Sequence, residues 1–338
     1  MSEQPDLLSV QPAEHPRNDE VLSDVLRWLR IDGGIFLRAE LRAPWAYESP
    51  PSDHMAAVLK PGAQRLILFH IVAQGQFGLR LPNGTGARLA AGDVIILPYG
   101  DQHRVASTPD AELVDISTLI PSPPWTKMPV LRIGEGGELT QIVCGYLHSD
   151  DILFNPVLSA LPRLMHLRSD DTPLADWVRA SFRYALHATE LLRPADDLLL
   201  QRLPELLFVE CLRRCLAAGS HDKQGWFGAL ADPVVGRALQ LLHGDYARPW
   251  TLDSLAREAA SSRSRLDERF RRHLGVAPMA YLARWWLQVA GQLLRSTTRG
   301  VADIADSVGY GSEASLSRAF KRYAGVSPAA WRRGGAAR

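Results

Sequence analysis

The segment SLSRAFKRYAGVSP, residues 315–328, repeats the plan of RLDERFRRHLGVAP, residues 265–278, fifty positions earlier. Leu316 and Phe320 correspond to Leu266 and Phe270, Lys321-Arg322 to Arg271-Arg272, Gly325-Val326 to Gly275-Val276, and Pro328 to Pro278. Ser312 pairs with Ser262 and Trp331 with Tyr281. Leu and Phe four apart share one helical face, the Gly suits a left-handed cap, and the Pro cannot continue the helix. Each copy predicts a short amphipathic helix with a basic last turn.

Upstream of each copy lies another helical segment, TLDSLAREAAS (251–261) and GVADIADSVGYGS (300–312). Both place an aliphatic residue beside Ala at mid-length, Leu255-Ala256 and Ile304-Ala305, and the small side chain lets a second helix cross closely. A short turn follows, with Gly309 and Gly311 in the second copy, and Ser262 or Ser312 is placed to cap the next helix. This pattern predicts two helix-turn-helix motifs, at about 252–273 and 300–323. Between them PMAYLARWWLQVAGQLLRST (278–297) is spaced for one continuous helix of about 18 residues, or roughly 27 Å. Successive major-groove faces of duplex DNA lie about 34 Å apart, so this connector can hold two recognition helices near one duplex turn apart.

Charge agrees with that reading. The net charge of +1 over 338 residues conceals an acidic part, residues 1–231 at net −7, and a basic part, residues 232–338 at net +8. Such asymmetry is expected when one domain meets a polyanion. The length allows two or three domains. The N-terminal sequence has no signal-peptide pattern, and no window approaches the roughly 20 apolar residues of a membrane span, so a cytoplasmic protein without membrane contact is expected. Cys144, Cys211 and Cys215 make no even disulfide framework; Cys211 and Cys215, four apart, read as small apolar residues.

Residues 232–335 resemble the DNA-binding domain of the AraC/XylS family of transcription regulators, through PWTLDSLAREA, RFRRHLGVAPMAYL, VADIADSVGY and SEASLSRAFKRYAGVSPAAWR. The resemblance implies that the second helix of each motif enters the major groove of double-stranded promoter DNA. It places Arg263, Ser264, Arg265, Asp267 and Glu268, then Glu313, Ala314, Ser315, Ser317 and Arg318, at or near base edges. Arg271, Arg272, Lys321 and Arg322 fall closer to phosphates. Asp267 and Glu268 depart from the neutral or basic residues of many relatives. They can accept from cytosine N4, or turn aside and pair with Arg263, Arg271 or Arg272. The family also implies activation through RNA polymerase.

GDVIILPYGDQHRVAS (92–107) matches the second motif of cupins, small antiparallel barrels, through Gly92, Pro98, Gly100 and His103. The preceding stretch reads as strand, Gly turn, strand, hairpin at Pro82-Asn83-Gly84, and strand, with Leu66, Leu68, His70 and Val72 on one face. The His-x-His pair and the Glu that a metal-binding cupin carries ahead of Gly75 are missing, so neither metal nor cofactor is expected. His70, His103 and Cys144 can converge in the barrel mouth as a pocket for an unknown small-molecule effector, and His with Cys suits zinc or copper; the commoner reading is histidines hydrogen-bonded within a pocket or core. Residues 20–150 resemble the sensing cupin of one branch of AraC-type regulators.

The expected fold class is α+β: a flexible 1–19, a cupin-like antiparallel barrel at 20–150, a helical linker or dimerisation region at 151–222, a hinge at 223–231 and an all-α DNA-binding domain at 232–335. Segments 174–192 and 196–219 are apolar enough to need a partner, either the barrel or a second subunit of a homodimer. A ligand-responsive activator is the leading function. The alternative is a cupin-type metal-dependent enzyme carrying a helix-turn-helix module; the missing metal ligands, and the lack of a Ser/His/Asp or paired-carboxylate arrangement, speak against an enzyme.

Overall fold

A computed structural model describes residues 16–28, 31–63, 65–116, 127–149, 161–169, 198–217 and 225–334, with a few isolated positions between them. The expected flexible N-terminus falls largely outside these residues, as does most of the apolar segment 174–192. The chain is mixed α+β, with a β-rich N-terminal region and a helical C-terminal domain.

The β region holds β1 (Asp32–Arg42), β2 (Ala46–Ser49), β3 (Ile67–Gln74), β4 (Gln76–Arg80), β5 (Gly86–Ala90), β6 (Val94–Leu97), β7 (His103–Ala106), β8 (Leu113–Asp115), β9 (Val130–Ile133), β10 (Leu139–His148) and β11 (Met165–Leu167). They form two sheets, ordered β11-β6-β3-β10-β1-β9 and β5-β4-β7-β2-β8. This corrects the expected wholly antiparallel barrel. Among the described residues the sheets hydrogen-bond separately, and β1–β9 and β2–β8 are parallel pairs. The physical reason is connection length: tight hairpins force antiparallel neighbours, whereas β8 and β9 arrive over longer excursions that allow either direction.

Alternation along β3 supplies two cores at once. Leu68 and Val72 point between the sheets, with Leu79, Leu97 and Val105. Ile67, Phe69 and Ile71 point outward into a second cluster shared with helices. Helix α1 (Pro16–Arg27) precedes the sheets and α2 (Ser52–Leu59) joins β2 to β3. The long α3 (Leu198–Ala217) lies across β1, β10 and β11, burying Leu203, Leu207, Phe208, Cys211 and Leu212. The sheet is thus one partner of this apolar segment, and among its described side chains Leu206 stays half exposed at 51%.

The C-terminal domain comprises α4 (Gly225–Ala231), α5 (Pro233–Gly244), α6 (Leu252–Glu258), α7 (Arg263–Leu274), α8 (Pro278–Ser296), α9 (Val301–Val308), α10 (Glu313–Ala324) and α11 (Pro328–Arg332). The hinge expected at 223–231 is instead largely a packed helix: Trp226, Phe227, Ala229 and Leu230 of α4 are buried, and α4 lies against α7. Its glycines suggested a loop, but aromatic burial outweighs their cost in a helix. No helix among the described residues is long and apolar enough to cross a membrane.

Gly309 carries the sharpest steric demand in the second motif. Its φ of 101° is left-handed, and an added Cβ would sit 2.8 Å from the Trp286 ring. Gly311, two residues on, faces open space. Gly309→Ala is expected to destabilise the protein by about 1–3 kcal/mol in denaturant melts, while Gly311→Ala changes stability by less than about 1 kcal/mol.

Candidate nucleic-acid interface and sensing cavity

The two helices expected to meet DNA, α7 and α10, are built alike. Ser262 accepts from the Arg265 amide and Ser312 from the Ser315 amide, capping each start; Gly275 and Gly325, at φ 70° and 73°, end them. Leu266, Phe270, Leu316 and Phe320 are fully buried. Phe270 meets Tyr281 edge to face at 5.5 Å, and Phe320 meets Trp331 the same way at 5.5 Å. The repeated aromatic position therefore does one job twice: it supports the recognition helix from behind.

Between the lobes runs α8, with Tyr281, Leu282, Trp285, Leu287, Val289, Ala290 and Leu294 buried. Its 19 residues span about 28 Å at 1.5 Å per residue. Helix α11 closes the second lobe, Trp331 Nε1 donating to the Gly291 carbonyl at 3.2 Å. In the first lobe Asp232 caps α5 and accepts from Arg269 of α7 at 2.8 Å. Burial alone would raise the Asp232 pKa, but the Val235 and Val234 amides and Arg269 together hold it below the ordinary value.

Away from the core the helices present the residues expected to meet DNA. Arg263, Ser264, Arg265, Glu268, Arg271 and Arg272 are exposed and Asp267 is half-buried; on α10 Glu313, Ala314, Arg318, Lys321 and Arg322 are exposed, with Ser315 and Ser317 half-buried. The acidic pair of α7 turns aside. Arg271 Nε lies 2.8 Å from Asp267, Arg272 Nη2 lies 2.5 Å from Glu268, and Arg263 pairs with Asp253 at 3.0 Å. These are solvent-facing pairs, each worth well under about 1 kcal/mol, so DNA phosphates can compete for the arginines. On α10, Arg318 donates to the Ser315 hydroxyl at 3.3 Å and, among the described residues, neither it nor Lys321 forms an ion pair.

The expected histidine–cysteine pocket converges between the sheets. His70 of β3 and Cys144 of β10 are cross-strand partners, and His70 Nδ1 lies 3.1 Å from Cys144 Sγ. His103, on β7 of the opposite sheet, brings its Nε2 to 2.7 Å from His70 Nε2, and its Nδ1 to 2.8 Å from the Asp101 carbonyl. A carbonyl only accepts, so His103 Nδ1 carries a proton; its Nε2 then accepts from His70 Nε2, and His70 Nδ1 accepts from the Cys144 thiol. One fixed end sets the direction of the whole chain.

Burial, reinforced by His103, holds His70 well below the ordinary histidine value. Burial lowers His103 to about 4 despite the opposing Asp101 carbonyl. The Cys144 thiol is pushed up to about 12 by burial, slightly offset by the neighbouring Tyr47 hydroxyl, and burial raises Tyr47 itself well above its usual value. All four groups are neutral near pH 7. The two Nε2 atoms are spent on each other and Cys144 meets the far nitrogen of His70, so the three donors do not converge on one point as metal ligands. Tyr47, from RAPWAYE, was not singled out by sequence; its hint was only an aromatic in a short alternating strand.

Residues 20–217 match the family model described as Cupin, and residues 255–334 match one described as Helix-turn-helix domain. A putative AraC-like transcription regulator of Streptomyces lividans is 34% identical over 83% of this chain and 94% of its own length. The HTH-type transcriptional regulator AlkR of Acinetobacter baylyi is 29% identical over 93% of this chain and 99% of its own. The RCS-specific HTH-type transcriptional activator RclR of Escherichia coli is 28% identical over 80% and 86%. The chain belongs to the AraC-type transcription regulators that carry an N-terminal cupin domain: a DNA-binding regulator rather than an enzyme.

The buried imidazoles predict acid sensitivity. With the folded His103 pKa near 4 and the ordinary value at 6.5, the unfolded chain takes up the proton first as pH falls. Its contribution is complete above about pH 6.5 and is lost progressively toward pH 4, on the order of 2 kcal/mol being gone at pH 5. His243, lowered by burial to about 3, adds a loss of the same sign. Melts at pH 7 and pH 5 should show this drop, and His103→Gln should make it smaller.

Proposed function

We propose that the protein is a cytoplasmic, ligand-responsive activator acting as a homodimer. Residues 20–150 sense a small molecule, 151–222 couple the domains and carry the dimer contact, and 232–335 grip promoter DNA and recruit RNA polymerase. One observation supports the DNA-binding arrangement above the others: two serine-capped helices, each backed by a Phe–aromatic pair, hang from the ends of a single buried helix α8. Activation and polymerase contact are carried over from the family, in which the Escherichia coli relative is named an activator.

In this reading Glu313, Ala314, Ser315, Ser317 and Arg318 face base edges, as do Arg263, Ser264, Arg265, Asp267 and Glu268 of the first motif. Arg271, Arg272, Lys321 and Arg322 face phosphates. Arg318 is the strongest candidate reader, being exposed on the face opposite the buried Leu316–Phe320 anchor and without an ion pair among the described residues. Its guanidinium can take guanine O6 and N7 in a fork worth about 1–3 kcal/mol of base discrimination. The first motif is the weaker reader, because its acidic pair and Asp253 occupy three of its arginines.

On sites selected by the full-length protein from a random DNA library, Arg318→Ala is expected to flatten preference at one or two base pairs. Non-specific affinity should hardly change. Lys321→Ala should instead weaken all sequences alike and reduce the salt slope of log K by about one. Uniform weakening by Arg318→Ala would assign that residue to the backbone and move specificity to Arg265 and its neighbours.

A further inference from the structure

Resting on the reading of the cupin domain as a sensor, we propose that the cavity between its sheets receives an uncharged, mainly apolar molecule bearing one hydrogen-bond acceptor, seated on the Tyr47 hydroxyl. The cavity holds about 260 Å³. At interior packing density that accommodates roughly ten non-hydrogen atoms. Phe36, Leu37, Met55, Ile116, Ile120 and Trp125 make its walls apolar, while His70, Cys144 and Tyr47 gather on its lining. Among the described residues no Lys, Arg, Asp or Glu lines it; the remaining ionisable side chain, His54, is exposed.

The class of ligand follows from the direction of the proton chain. Beginning at the Asp101 carbonyl, every donor of His103, His70 and Cys144 is committed to the next acceptor. Tyr47 is outside that chain. Its hydroxyl is fully buried, borders the cavity and has no hydrogen-bond partner of sound geometry, its neighbour being the weakly accepting Cys144 sulfur. A buried O–H without an acceptor is costly, and a ligand carbonyl, ether or hydroxyl oxygen relieves that cost. A carboxylate or ammonium would be stripped of water there with no opposite charge to meet it, since both imidazoles and the thiol are neutral.

The way in also has a place in the fold. Phe36, Val58, Leu59 and Trp125 are shared with an adjoining groove that reaches Lys127 and Arg202 of α3. Helix α2 lines this cavity through Met55, Val58 and Leu59. An occupant would therefore press on α2 and on the groove beneath α3, the helix that spans the sheet.

The test uses the full-length protein and two probe sets: acetophenone, ethylbenzene, benzoate and benzylamine; and 2-octanone, octanoate and octylamine. Calorimetry is expected to show at least one ketone binding and every charged counterpart at least tenfold weaker. Acetophenone, if it is that ketone, should exceed ethylbenzene by roughly three- to tenfold, the worth of one neutral hydrogen bond. Tyr47→Phe should melt no lower than the parent and lose the ketone preference; Met55→Trp, which fills the cavity, should abolish binding of every probe. The proposal falls if a charged probe binds more tightly than both ketones, if no probe binds, if Tyr47→Phe keeps the preference, or if Tyr47→Phe fails to fold. Salt-sensitive binding to library-selected DNA, scored on the same samples, separates the two readings. Failed probes with DNA binding intact sink the ligand class alone, whereas loss of DNA binding sinks the regulator reading.

Discussion

The edge-to-face contact of a recognition-helix phenylalanine with an aromatic ring at the head of the next helix is the constraint on which the DNA-binding half depends. Phe270 on Tyr281 and Phe320 on Trp331 each fix the depth at which a helix sits against its lobe. Such ring pairs add about 0.5–1.5 kcal/mol beyond the area they bury, and their preferred angle also orients the helix. Each ring is tied in turn to something rigid: the Tyr281 hydroxyl to His243 Nε2 at 2.8 Å, and Trp331 Nε1 to the Gly291 carbonyl of α8. Helix α8 belongs to both lobes, so both ring pairs are anchored on one element.

The same core continues into the sensing half. Val21, Leu22 and Val25 of α1 are buried against α5, and Gln288 of α8 donates to the Trp28 carbonyl at 2.8 Å. The Trp28 ring meets Tyr246 edge to face at 6.3 Å. Outward-facing residues of β3, together with α3, join that cluster. Sheet, α3, α1 and the DNA-binding helices thus share one apolar contact network. Close-packed interiors deform little, so a change at the sheet has a mechanical path to α8. Whether it shifts the population of a DNA-competent arrangement depends on a difference in ligand affinity between two states.

Charge placement differs between the two motifs. The first carries more arginines, yet Asp253, Asp267 and Glu268 engage three of them in the free protein, so part of its attraction for phosphate is offset within the helix pair. The second has Arg318 and Lys321 without ion pairs among the described residues. Exposed pairs are weak and exchange readily, so a competing anion can draw these arginines away.

Much of the helical domain was legible in the sequence, because its signals are local. Leu and Phe four apart, a capping Ser, a left-handed Gly and a Pro at the next helix start each act within a turn or two of chain, and α7, α8 and α10 begin and end where those residues stand. Local signals misled at 223–231, where two glycines suggested a loop and the burial of Trp226 and Phe227 made a helix. The meeting of His70, Cys144 and His103 was suggested by strand alternation, but Tyr47 was not, since a hydroxyl left without an acceptor is a property of its surroundings. Sheet order, the parallel edge pairs and the docking of α3 on the sheet were likewise decided in three dimensions. Sequence by itself determined the elements whose free energy is settled between neighbours along the chain. The tertiary structure decided everything that depends on which distant surface excludes water from a given side chain, including the neutral state of the buried imidazoles and the pairing of the acidic residues on α7.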